Sequence, residues 1–233
     1  MITRLLALAG LLLLSNHSLA AQCLTSNSGS AEYPPLNCSY SGPLEIINGL
    51  PPGTTIEIAA ELGDFSSIVD LGGGSQSWNA NIEMMMTGTG ALAGFSRTIF
   101  MPVAALVDLG PRAGGDTQSF DIDILGFDGQ VFGDPDFDVL RFTSGSNWGL
   151  PSSGSATYTA VGGVVWDIES SLALNYQIEF QGAPGGALEG FGGVTTSATT
   201  FALGEPAVVP LPAAAWLFGS ALLCLGVVKR KKA

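Results

Sequence analysis

Between Ser171 and Phe180 the chain alternates apolar and polar residues without a fault. Leu172, Leu174, Tyr176, Ile178 and Phe180 share one parity, and Ala173, Asn175, Gln177 and Glu179 the other. Successive side chains of an extended chain point to opposite faces, so this run buries its apolar set most simply as a strand with one face on a core. Further strands are expected over 54–60, 81–87, 98–106, 120–125, 137–142, 156–161, 164–168 and 194–203. The clusters 72–74, 111–115, 145–149 and 182–186, rich in glycine, proline and serine, separate them as turns. No segment between 21 and 208 carries a helical period with caps. Many short strands joined by such turns predict an all-β fold, an antiparallel β-sandwich of jelly-roll or immunoglobulin-like kind.

Charge narrows the function. All 20 acidic residues lie between 21 and 208, against Arg97, Arg112 and Arg141 and no lysine, a net charge of −17. A surface so negative repels nucleic acid, and anionic polymers too unless cations intervene. The one histidine, His17, precedes this region, which therefore has no imidazole base for a Ser-His-Asp triad and no His-bearing zinc site. Lacking lysine, it has no Schiff-base or P-loop chemistry either. Gly88 to Ala93 matches a dinucleotide-binding glycine string, but the chain continues as β and does not open a helix, so a turn is expected.

The N-terminus reads as an export signal. Arg4, the apolar run Leu5 to Leu14 and the small-x-small site Ser18-Leu19-Ala20 make 1–20 a signal peptide, with Ala21 starting the mature protein. Two cysteines then remain outside the apolar tail, Cys23 and Cys38, and in an oxidising compartment they are expected to pair; the alternatives are two buried thiols, or acylation of Cys23.

At the other end stand Val209-Pro210-Leu211-Pro212-Ala213, an apolar run through Val228, and Lys229-Arg230-Lys231-Lys232. Residues 208–228, at about 1.5 Å each, span roughly the hydrocarbon core of a bilayer. The basic cluster after them stays cytoplasmic and places the preceding domain outside. The two prolines favour an extended segment ahead of the helix. This three-part tail, 209–233, resembles the bacterial PEP-CTERM sorting signals in their VPLPA form, which are read by exosortase-type membrane proteases. The resemblance implies cleavage by such a protease in a Gram-negative, polysaccharide-making bacterium, with release to the cell surface or extracellular matrix. It covers the tail only and assigns no activity to the domain at 21–208. A permanent C-terminal anchor is the plainer alternative.

Within that domain the carboxylates are the chief chemical groups. Asp121, Asp123, Asp128, Asp134, Asp136 and Asp138 fall within 18 residues. Asp121 and Asp123 share a strand face; Asp128 is expected in a turn with Gly129, and Asp134 in a loop. Oxygen ligands so spaced make calcium the candidate cation, set against a simple solvated acidic face. Paired carboxylates from Asp136, Asp138, Glu169 and Glu179 could also serve a glycoside hydrolase. Trp148, in a Ser/Gly-rich loop, is the candidate platform for a sugar, while Trp78 and Trp166 compete with core roles. Met84, Met85 and Met86 suggest a strand buried on both faces. These features predict a non-catalytic surface or matrix protein with a structural or adhesive role and extracellular polysaccharide as a candidate partner. A calcium-dependent carbohydrate-binding module comes second and a carboxylate-based hydrolase third.

Overall fold

The computed structural model describes residues 23–26, 33–112 and 114–204. The signal peptide at 1–20 and the tail at 209–233 lie outside them. Among the described residues no helix is long and apolar enough to cross a membrane.

Among the described residues, ten strands make one antiparallel sheet: β1 (Cys23–Ser26), β2 (Tyr40–Ile46), β3 (Ile56–Gly72), β4 (Ser75–Gly88), β5 (Ser96–Leu109), β6 (Thr117–Phe132), β7 (Phe137–Ser144), β8 (Ser152–Gly162), β9 (Val165–Gly182) and β10 (Gly192–Leu203). From β2 to β6 they form a meander. The ladder then closes, because β6 pairs with β7 and β8, both of these pair with β9, β9 pairs with β10, and β10 returns to β2. β7 and β8 run in the same direction along β6, one after the other, and share one position in the wall. The all-β antiparallel expectation thus holds, with longer strands than the pattern marked: 164–168 and 171–180 are a single strand, β9. Gly90–Leu92 in the glycine string is one turn of 3-10 helix between β4 and β5.

Among the described residues the sheet encloses one apolar core. A file of aromatic rings crosses it from Tyr40 through Phe65, Trp78, Phe127 and Phe142 to Tyr176, with centroid separations of 5.2–6.1 Å. Trp78 is therefore core, and Trp166 packs half-buried against it. Met84 and Met86 point inward, whereas Met85 is 43% exposed, so β4 is buried on one face only.

A bulge explains how β6 keeps one face buried along 16 residues. Ile124 pairs with Val107, but Gly126 pairs with Leu106, leaving Leu125 as the extra residue. The shift changes parity, so Phe120, Ile122 and Ile124 point inward before it and Phe127 after it. It also turns Asp128 outward. Asp128 and Gly129 lie mid-strand rather than in the expected turn.

The seam between β2 and β10 closes by side chains. Backbone pairing covers only Ser41 with Ala202 and Tyr40 with Leu203. Pro43 has no N–H to give, and a Cβ on Gly42 would run into the Phe201 ring. Farther along, Thr199 Oγ1 donates to the Pro43 carbonyl at 2.6 Å, and the Tyr176 hydroxyl accepts the Glu45 N–H at 3.0 Å. Thr195 Oγ1 accepts the N–H groups of Ile47 and Asn48 at 2.9 and 3.0 Å. Thr195 is 2% exposed, so Thr195→Val, with the same shape, would orphan both amides. Such orphaned groups cost about 1–3 kcal/mol each. The variant is expected to melt several degrees below the parent in a calorimetric scan and to lose amide-exchange protection first at 44–48.

Outside the ring, β1 adds to β9 beyond the end of β10. The Cys23–Cys38 disulfide, its Cα atoms 5.7 Å apart, ties β1 to the segment 33–39. That segment turns Tyr33 into the core, edge-on against Phe120, and its Ser39 carbonyl accepts the Gly204 N–H.

Candidate functional site

The outer surface of β6, β8, β9 and β10 carries small polar side chains in register. Cross-strand rows run Thr117, Thr159, Asp167; Ser119, Thr157, Glu169; Asp121, Ser155, Ser171; and Asp123, Ser153, Ala173, Thr200. Their inward neighbours, among them Ile122, Ala156, Tyr158 and Leu172, are buried, and this alternation keeps the hydroxyls and carboxylates outside. Strands about 4.8 Å apart set the rows, with successive outward residues about 6.8 Å apart along each strand. Ser119 and Thr157 share a hydrogen bond at 3.0 Å across neighbouring strands. Asp121 and Asp123 thus share a face, as expected, as members of this hydroxyl array.

Trp148 stands at the edge of this face. The excursion between β7 and β8 holds one turn of 3-10 helix, Ser146–Trp148. Gly145 and Leu150 pin its base by exchanging backbone hydrogen bonds of 2.9 and 3.1 Å. Gly145 and Gly149, at φ 101° and 71°, supply the left-handed conformations that the excursion needs. Trp148 is 44% exposed, and the Arg141 guanidinium carbon lies 4.9 Å from its ring centroid. A cation on a ring face steadies it through the ring quadrupole.

At the other end of the acidic group, Asp134 and Asp136 converge on Arg97. Arg97 Nη2 lies 2.6 Å from Asp134 Oδ2, and its Nε 3.6 Å from Asp136 Oδ2. Asp134 Oδ1 accepts the Asp136 N–H, and Asp136 Oδ1 accepts the Ala187 N–H, both at 2.9 Å. Burial alone would raise the Asp134 carboxyl, but hydrogen bonds from Arg97 and from backbone amides, with the arginine charge, outweigh it and hold it below the ordinary range. The pair thereby ties together the start of β5, the β6–β7 loop and the β9–β10 loop.

Of the six aspartates expected around one cation, the structure brings together Asp134 and Asp136, with an arginine between them. Asp138 is exposed at the start of β7, and Asp128 lies outward, opposite Ala104 and Thr143. Among the described residues no group of three or more His, Cys, Asp or Glu is placed to hold a metal ion. Glu169 and Glu179 are exposed on the outer surface of β9, Glu179 opposite Arg141. The sequence reading missed Arg97 as a partner, since it lies 37 residues from Asp134. It also missed the hydroxyl array, although the Ser/Thr alternation in 153–159 was its visible trace. Comparison of the chain with protein-family models, with curated proteins and with solved structures finds no match.

Proposed function

We propose that this chain is an exported cell-surface or extracellular-matrix protein, non-catalytic, with a structural or adhesive role, delivered by an exosortase-type protease that reads Val209 to Ala213. The observation that carries the adhesive part is the four-row array of hydroxyls and carboxylates on β6, β8, β9 and β10. Each hydroxyl contributes little alone, but a repeating array facing a repeating polymer gains by multivalency. Extracellular polysaccharide is such a polymer, and calcium bridges would let an acidic one approach. The sandwich expected from the sequence is best read here as a closed meander, because neighbouring strands from β2 to β6 follow chain order and β10 returns to β2.

Retention on immobilised exopolysaccharide from the producing cells tests this role. The parent is expected to be retained and the double variant Ser155→Glu, Thr157→Glu released at the same melting temperature. Equal retention of both would remove the array from the account.

A calcium-dependent carbohydrate-binding module is the second reading. What favours it is Trp148, half-exposed and held by Arg141 on a pinned turn, the arrangement a sugar-stacking platform needs. On that reading Trp148→Ala abolishes retention, and so does chelation.

A further inference from the structure

The strands of the closed sheet end at two rims. At one of them lie the β3–β4 turn, the β5–β6 connection and the β8–β9 turn, since Gly72 pairs with Ser75, Ser75 with Asp108, Thr117 with Thr159 and Gly162 with Val165. Turns are ordinarily polar, and these are not. Ala160 to Val165 carries no polar side chain, with Val161 57% and Val164 50% exposed on either side of Gly162-Gly163. Val69 and Leu71 stand half-exposed beside Gly72, and Leu24 on β1 adds another apolar side chain opposite Asp167. Exposed apolar groups gathered on one part of a surface mark contact with a partner or a membrane.

The course of the chain decides between the two. β10 runs toward this rim, with Ala202 level with Ser171 and Leu203 with Tyr40, itself opposite Leu62. Gly204 therefore stands about five residues, roughly 17 Å, short of the β8–β9 tip, and less than about 30 Å short of the β3–β4 tip, because β3 is bulged. Residues 205–212 reach at most about 29 Å before the apolar run that continues through Val228. A bilayer that holds this run has its surface at the level of the tips. The opposite rim, where Ile47, Phe132 and Val194 are exposed, faces away from it. Lying flat on the wall of β6, β8, β9 and β10 would press hydroxyls and carboxylates against lipid without partners.

We infer that this rim rests on the membrane surface while the tail is in the bilayer, with Val69, Leu71, Val161 and Val164 dipping into the headgroup layer and Val209 to Ala213 held at the interface where a membrane protease takes it. The inference rests on reading the tail as a membrane span. Asp70, Asp108, Asp116 and Asp167 surround the same rim against the charge of Arg112, so a zwitterionic headgroup suits it and an anionic one repels it.

Photolabelling of the full chain in phosphatidylcholine nanodiscs tests it, the discs being doped with a phosphatidylcholine that carries a diazirine at the glycerol end of its acyl chain, and the labelled residues mapped by mass spectrometry. Labels are expected at 69–73 and 161–164 as well as in the tail. Val161→Ser with Val164→Ser should cut the label at 161–164 about tenfold, the loss of two apolar contacts with lipid, and leave the tail label and the melting temperature unchanged. Replacing part of the lipid by phosphatidylglycerol at low salt should lower the label at both tips, and Asp70→Asn with Asp116→Asn should restore it. Label confined to the tail, or equal at Ile47 and Val194, would overturn the inference and leave the span standing. An unlabelled tail would overturn the span and the inference with it.

Discussion

Phe127→Ala is expected to lower the unfolding free energy by about 3–5 kcal/mol, the usual cost of emptying a buried aromatic site. Phe127 sits mid-file, 5.9 Å from Trp78 and 5.5 Å from Phe142, so its loss parts the rings on the β3–β4 side from those near β9. In a domain of 150–250 residues this corresponds to a midpoint roughly 6–20 °C lower. Calorimetry reads it directly. A shift under about 2 °C would mean that the ring file does not hold the two sides of the core together.

Replacing both cysteines by serine is the second large effect. A 15-residue loop closed by a disulfide contributes about 3 kcal/mol in the chain-entropy model. What comes loose is specific: β1, four residues paired only with β9, and the 33–39 segment with Tyr33 against Phe120. Hydrogen exchange should therefore quicken first in β1 and in its partners Val165 to Ile168, with β3 to β6 protected as before. Uniformly faster exchange would mean that the disulfide stabilises the whole ring instead of its flank. Unchanged melting would mean that β1 and the segment hold without it.

How far the sequence reached can be followed strand by strand. β9 was legible because every even position from 172 to 180 is apolar and faces one core. β6 was legible only to Leu125, where the bulge changes parity; an alternation rule cannot see an extra residue whose reason lies in the partner β5. β2 was missed because Gly42-Pro43 reads as a breaker. The fold tolerates the proline because its missing N–H faces a seam closed by Thr195, Thr199 and Tyr176, all more than 130 residues away. The shared position of β7 and β8 between β6 and β9 is equally non-local. The same divide runs through the site. Cys23 with Cys38, Trp148 on a loop, and the common face of Asp121 and Asp123 follow from local pattern. The capture of Asp134 and Asp136 by Arg97 depends on tertiary placement.

Export and sorting are the central claim, and the intact mass of the protein recovered from the extracellular matrix of producing cells tests it most directly. The account predicts a chain that begins at Ala21, ends within or just before Val209 to Ala213, and carries two fewer hydrogens for the Cys23–Cys38 bond. A chain of all 233 residues recovered from the cytoplasm with both thiols free would contradict it.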